Sequence, residues 1–484
     1  MSNVATDAFQ NALALLRRRR GASADIGPAF DLTLPTAATH SHLAGVKTTP
    51  AEIDGSIGST HKLLESGDLT SVELVARSLR AIEQQNDQLY AFVEILEVEA
   101  LERAKKADSE LSGGRSRGPL HGIPVSVKDL YAVAGATTRA GSMAFERRDH
   151  HDAHAVKRLR EAGAVIIGKT STHEFAMGVT APQSRNPHDP TRIAGGSSSG
   201  AAIAVATGMG MAALGTDTRG SIRIPAALTG VVGLKPTFGA VPLEGVVPLS
   251  WTMDHVGVMA ASSADAAATL DALTGGSIYG ASARSISGMR VGLPRTAWRD
   301  VESAVGDSIE TVLDSLAATG ARIVEVERPD ESDFDRANLT SMVVSRSEAA
   351  AFHRDLGLDQ QLYTSDVRTQ LETATEATAG DYIDAQRLRA QLQREVISVF
   401  EDVDILLMPT VPIVAPPVET ADQTPLVLTR NVALWSFLGF PAMSVPCVPS
   451  PAGMPIGLQI VAAPHAEAAL VAVGRAVERG VNAR

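Results

Sequence analysis

The sequence predicts an α/β protein built on a partly parallel sheet, and three observations lead there. A helical stretch followed by a short strand occurs at 152–168 and again at 305–326, which is the alternation that parallel sheets require. The runs 124–130, 404–409 and 457–462 read as further strands, the first of them buried. The chain has 484 residues, 44% hydrophobic and 20% charged, the profile of a globular protein able to bury a sizeable core.

Taken in order, residues 4–20 show helical spacing, with Phe9, Leu13 and Leu16 on one face. Arg17 to Arg20 then fall in the last turn, where they complement the helix dipole. This helix reads as an accessory or oligomer-contact element, and 21–50, rich in Gly, Ala, Pro, Thr and His, as a linker or extended arm. Thr70 and Glu73 form a capping box opening a helix whose face is Val72, Val75, Leu79 and Ile82. A strand or turn at 91–96, a helix at 97–111 and a loop at 113–118 follow. The buried strand 124–130 leads to Lys128. Asp152 is expected to cap a helix carrying Val156 and Leu159 and closed by Gly163, with an apolar strand at 164–168. Ser263 is expected to cap a helix that stops at Gly275. Val305, Ile309, Val312, Leu313 and Leu316 make another helical stripe, ended by Gly320 before a strand at 322–326. Residues 331–400 read as mostly helical, with a charged helix over 381–400. The contacts of 50–480 are expected to join in one body.

Net charge is −12, which disfavours nucleic acid or an anionic membrane as the main partner. The single cysteine, Cys447, excludes an intrachain disulfide and a multi-cysteine metal site, and makes a reducing cytoplasm the default. The four arginines raise an export signal, but GASADIGPAF after them is too polar and broken for its apolar region. The longest apolar run, 201–214, is short of a membrane span and contains Thr207 and glycines.

The stretch AGGSSSGAAIAVATGMGMAALGTDTRGSIRIPAALTGVVGLKP at 194–236 organises the chemistry. Two glycine–serine knots, 195–200 and 215–221, bracket an apolar segment. Such residues pack poorly as core, so their clustering points to close backbone approach. Serines there are candidate nucleophiles, and loop N–H groups can face an anion. Lys128, inside a largely apolar strand, has two readings. Either desolvation favours its neutral amine, a competent base, or it pairs with a carboxylate such as Asp129. The serine knots tip the reading toward a base, because they supply a hydroxyl to deprotonate.

Other motifs weigh less. GAVIIGKT at 163–170 matches a phosphate-loop pattern, but its variable positions form an apolar strand that follows a helix; Lys169 reads as a strand-end lysine. His150, His151 and His154 read as polar residues around a helix start rather than metal ligands. Asp254 and His255 offer the partners of a Ser–His–Asp triad, and GSSSG places Ser198 at the centre of a nucleophile-elbow pattern. The elbow needs a strand directly before it, whereas NPHDPTRIA reads as a proline-broken loop.

With PVSVKD at 124–129, GGSSSG at 195–200 and GTDTRGSIRIPA at 215–226, the chain resembles the amidase signature family. The likeness extends to AGAVIIGKTSTHEFAMG, GVVPLSWTMDHVG, FPAMSVPC and GLQIV. It covers most of 55–475, omits the first fifty residues and touches 276–400 only loosely. It implies one α/β domain over 51–480, with a large mixed, mostly parallel sheet covered by helices on both faces, and an N-terminal helix and arm over 1–50. Residues 276–400 would be its more variable, mostly helical, substrate-side region.

By the same resemblance Ser221 is the nucleophile, Ser197 the relay behind a cis Gly196–Ser197 peptide, and Lys128 the base. The backbone N–H groups of Thr218, Arg219, Gly220 and Ser221 would form the oxyanion hole. Ser198, Asp217 and Arg223 would support it, Arg223 pairing with Asp217. The resemblance implies amide hydrolysis through an acyl-enzyme on a small-molecule amide, with no metal or organic cofactor. Ester, anilide or carbamate activity would share that chemistry. A cytoplasmic homodimer is the expected state, with no nucleic-acid or membrane partner. Arg219 departs from the pattern, since the family usually has a small residue there. It is expected either to point outward in a scaffold ion pair or to reach the pocket and favour an anionic or strongly polar substrate. Two other functions compete. One is the glutamine-hydrolysing component of a tRNA-dependent amidotransferase, against which the acidic charge and the short segment between Met177 and Gly195 weigh. The other is a non-catalytic scaffold, against which the complete set Lys128, Ser197 and Ser221 weighs.

Overall fold

Residues 2–19 and 56–482 are described by the structure, a computed structural model. Its strands are β1 (Phe92–Ile95), β2 (Pro124–Lys128), β3 (Thr137–Thr138), β4 (Arg147–Arg148), β5 (Val165–Thr170), β6 (Ala212–Asp217) and β7 (Val232–Lys235). They continue as β8 (His255–Ala260), β9 (Arg290–Pro294), β10 (Arg322–Val326), β11 (Ile405–Pro409), β12 (Ala442–Pro446) and β13 (Gly457–Val461). Eleven of them make one sheet in the order β1-β5-β2-β6-β8-β7-β12-β13-β11-β9-β10, and β3 pairs with β4 alone.

The sheet is mixed. β2 runs parallel to β5 and β6, and β9 to β10 and β11. The strands between and outside these groups pair antiparallel. β2, β5, β6, β8 and β11 are buried at every residue. Their burial at every position follows from helices lying on both sheet faces. β10 closes one edge as Arg-Ile-Val-Glu-Val, mostly exposed, and its charges discourage further strand pairing.

The N-terminal helix Ser2–Arg19 buries Phe9, Leu13 and Leu16 within this chain. It packs against the helices Glu331–Leu356, Ser365–Ala374 and Ala379–Ile397, and Arg17 pairs with Asp381 at 3.0 Å. Its apolar face is therefore covered within this chain, which fits the accessory rather than the oligomer-contact reading. The arm expected at 21–50 lies outside the described residues.

The Thr70–Glu73 capping box is present. Asp152, by contrast, does not cap its helix, whose first turn follows Ala153 without a side-chain bond. It accepts instead from Ala134 N at 2.8 Å and pairs with Arg160 at 3.0 Å. Ser262, one residue before the expected Ser263, is the acceptor that caps the helix Ser263–Thr274. The charged helix expected at 381–400 begins earlier, at Ala379, because Thr378 and Asp381 form a capping box. Among the described residues no helix is long and apolar enough to cross a membrane.

Between the two serine knots lies the short helix Ser199–Ala206, buried along its apolar length and seated on β2, β5, β6 and β8. Small side chains let it approach the sheet closely. At Gly200 a Cβ would overlap the Ala91 carbonyl oxygen and the Ser171 amide, so only glycine fits.

Candidate active site

Lys128 ends β2 and is fully buried. In the β2–β6 register Val127 faces Leu214, which brings the strand end level with the second knot. There Nζ donates to Ser197 Oγ at 2.7 Å and to Thr216 Oγ1 at 2.8 Å. Asp129, the next residue, belongs to another pair. Its carboxylate lies 2.8 Å from Lys169 Nζ, with both side chains buried. The paired-lysine reading thus describes Lys169, while among the described residues Lys128 has no carboxylate within ion-pair distance. Burial pushes the Lys128 ammonium down to about 7, against the pull of Asp254 and Asp217.

The two knots are stitched together by Ser198. Its N–H donates to Ser221 O at 3.2 Å, its Oγ donates to Thr216 O at 3.2 Å, and Thr216 N donates back to Oγ at 3.3 Å. Ser198 is the residue before a helix, with no strand leading into it, so the elbow geometry is absent. The Gly196–Ser197 peptide is cis, and Ser197 O accepts from His173 N at 3.2 Å. Ser221 is 5% exposed at the entry to the helix Arg223–Thr229.

Asp217 shapes the loop that carries Ser221. It accepts from Gly220 N at 2.8 Å, Ile222 N at 3.3 Å and Ser436 Oγ at 2.7 Å. Arg223 grips it through Nε at 3.0 Å and Nη2 at 3.1 Å, both side chains fully buried. Burial opposes the Asp217 charge, but Arg223 holds the carboxyl well below the usual range. One expectation is corrected here. The Gly220 N–H is taken by Asp217, so it is not free to bind an oxyanion. Among the described residues no protein acceptor takes the N–H groups of Thr218, Arg219 or Ser221. Gly220 itself has φ 114° and sits where a Cβ would overlap Val432, which reserves the position for glycine.

Asp254 and His255 serve this loop without forming a histidine triad. Thr218 Oγ1 donates to Asp254 Oδ1 at 2.5 Å, and Leu249 N and Ser250 N donate to Oδ2 at 2.9 and 3.0 Å. Burial raises the Asp254 carboxyl to about 6 despite these donors. His255 Nδ1 lies 3.0 Å from Asp217 O, and its ring packs edge-on against Phe238. Burial drives the imidazole well below its ordinary value, so it stays neutral. Thr216 and Asp254 are the two contributors that motif reading missed in these roles. A threonine in a strand and a carboxylate just before one carry no pattern of their own.

Arg219 does not make the expected ion pair. Its Nε donates to Ser341 Oγ at 3.0 Å and its Nη2 to Asn338 O at 3.1 Å, both on the helix Glu331–Leu356. His150 and His151 are exposed, and among the described residues no three His, Cys, Asp or Glu side chains converge as a metal site.

The assembled groups suit acyl transfer. A buried amine contacts the hydroxyl of Ser197, a second serine, Ser221, sits on a loop bonded to the adjacent Ser198, and N–H groups of that loop remain open. A family model described as Amidase matches residues 73–471. A protein named Amidase from Pseudomonas putida is 37% identical over 409 residues, covering 79% of this chain and 87% of that protein. A glutamyl-tRNA(Gln) amidotransferase subunit from Chloroflexus aurantiacus is 35% identical over 460 residues, covering 86% of this chain and 94% of its own. A crystal structure of an amidase is similar with a TM-score of 0.80 at 35% identity, covering 88% of this chain and 100% of that one.

Proposed function

Because the chain belongs to the amidase family, we propose that Ser221, Ser197 and Lys128 are the nucleophile, relay and base of its amide hydrolysis. The observation that carries this reading is the 2.7 Å contact of a buried Lys128 amine with Ser197 Oγ. Neutral Lys128 accepts the Ser197 proton as Ser197 takes that of Ser221. Ser221 Oγ bonds to the carbonyl carbon, and the oxyanion meets the N–H groups of Thr218, Arg219 and Ser221. Removing one such donor typically costs about 2.7–4 kcal/mol of transition-state stabilisation. The C–N bond then breaks, the leaving nitrogen takes the proton back through Ser197, and an acyl-enzyme remains. Water, deprotonated along the same route, releases the acid and frees Ser221.

On this reading 51–480 acts as one amidase domain and 1–50 stands outside the chemistry. The lone, buried Cys447 supports a reducing, cytoplasmic setting. The test combines two measurements: the mass of the Ser221 peptide after a fluorophosphonate, and amine release from a panel of small amides, anilides and carbamates. An adduct on Ser221 with amine release supports the proposal. Full turnover by Ser221→Ala overturns it.

A second reading takes glutamine as the amide and hands ammonia to a partner complex. It is supported by the likeness to the amidotransferase component. Glutamine hydrolysis that appears only when partner proteins are added would favour it, and turnover of simple amides by the isolated chain would favour the first.

A further inference from the structure

Within the loop 215–221, which carries the candidate nucleophile, Arg219 alone is only partly buried. One edge of its guanidinium is anchored: Nε donates to Ser341 Oγ and Nη2 to Asn338 O. Both acceptors are neutral. Among the described residues no carboxylate lies within ion-pair distance of Arg219, and no acceptor takes Nη1. Nη1 is also absent from the polar atoms sealed in the interior without a partner, so that edge is open rather than enclosed.

The neighbouring charge that bears on Arg219, that of Arg346, adds to its positive charge, while Asp366 draws on Arg346 in turn. Burial pushes the Arg219 group down to about 9, and the charge of Arg346 pushes the same way. Arg346 is 6% exposed, and its guanidinium lies 5.0 Å from the Phe9 ring centre on the N-terminal helix. The carboxylates nearest the loop are engaged elsewhere, Asp217 by Arg223 and Asp254 by Thr218. An anchored fork with an uncompensated charge is the arrangement that receives a carboxylate through parallel N–H donors.

We propose that Arg219 is the specificity-determining residue of the site and that the substrate is an amide which also carries a carboxylate. The inference rests on the reading of Ser221 as the nucleophile. The carboxylate docks on the open Nη1 edge while the amide carbonyl is presented to Ser221. Arg219 thus adds a second function to a loop position whose N–H faces the oxyanion. A neutral amide of the same length leaves the guanidinium without a counter-ion and gains nothing from it.

The test compares succinamate with butyramide, a carboxylate-bearing amide and a neutral one of matched length, in the full chain and in Arg219→Met and Arg219→Lys. The readout is the ratio of kcat/KM for the two amides, which cancels any loss common to both. The wild-type ratio should favour succinamate, and Arg219→Met should lower that ratio roughly 10- to 100-fold, the range for hydrogen bonds to a charged group. Arg219→Lys should restore part of it, since the charge returns without the fork. Binding is read separately as protection of Ser221 from a fluorophosphonate by succinate, which should weaken in Arg219→Met by a similar factor.

A ratio in Arg219→Met within threefold of wild type overturns the proposal, as does succinate protection equal in the two proteins. So does a wild-type enzyme that labels at Ser221 yet prefers butyramide; the nucleophile reading then stands and this inference alone falls. Failure of wild type to label at Ser221 removes the nucleophile reading, and this inference with it.

Discussion

Lys128 Nζ lies 2.7 Å from Ser197 Oγ, while the carboxylate of its chain neighbour Asp129 lies 2.8 Å from Lys169. Adjacent residues at a strand end thus point to opposite sides, and the two lysines acquire different partners. Lys169 is paired with a buried carboxylate. Lys128 is held by two hydroxyls and kept near neutrality by burial.

The pH dependence of turnover follows from that difference. With Lys128 lowered to about 7, the fraction of neutral amine rises with pH through that value. We expect kcat/KM to increase about tenfold per pH unit below 7 and to level off above it. Lys128→Met should lower kcat/KM by at least about 10³-fold and abolish that acid limb. An unchanged limb in the mutant would assign the titration to another group.

Stability carries the same signature. An unfolded lysine titrates near about 10.4, so between about 7 and that value the unfolded chain binds the extra proton. Stability therefore gains a rising component across this window as pH increases, and below 7 the cost of the buried charge is fully present. Lys128→Met should remove that component, as checked by urea unfolding at a series of pH values.

Asp254 has a sign that can be tested. Its negative charge pulls the Lys128 ammonium up, so Asp254→Asn should move the acid limb of kcat/KM to lower pH, by up to about one pH unit. The asparagine can still accept from Thr218 Oγ1, which preserves the loop contact made by Oδ1. A limb that stays in place, or moves to higher pH, would show that the two groups are not coupled as the geometry indicates.

The Asp217–Arg223 pair is fully buried on both sides. Removing one partner from such a pair typically costs about 3–5 kcal/mol, because the other charge is left uncompensated. Arg223→Met should lose that much in urea unfolding. It should also slow fluorophosphonate labelling of Ser221, since Asp217 holds Gly220 N and Ile222 N. Unfolding at the wild-type midpoint would contradict the role of the pair.

The α/β alternation was legible, and the three residues proposed as base, relay and nucleophile each leave a local mark. Lys128 interrupts an apolar strand, and Ser197 and Ser221 lie in glycine-rich knots. What was not legible depends on direction and long-range partners. The competition for Asp129 is decided by which side of β2 each residue faces. Asp152 has the side chain of a cap, yet Ala134 N and Arg160 claim it from outside its helix. Arg219 finds its hydrogen-bond partner Ser341 122 positions later in the chain, where no motif announces it. The resemblance places the Gly220 N–H on the oxyanion, but the carboxylate of Asp217, three positions earlier, is a stronger local acceptor.

The N-terminal helix gives the last prediction. Phe9 is fully buried, and its ring sits beneath the Arg346 guanidinium. Replacing such a phenylalanine by alanine typically costs about 3–5 kcal/mol, which urea unfolding of Phe9→Ala should show. Deleting residues 1–19 should lower the unfolding midpoint further, because Leu13 and Leu16 lose the same packing and Asp381 loses Arg17. The mass in solution, measured by light scattering, should fall only by the deleted segment for each chain, since the apolar face of the helix is covered by its own chain. A change in oligomeric state at unchanged stability would mean that the helix serves a partner after all.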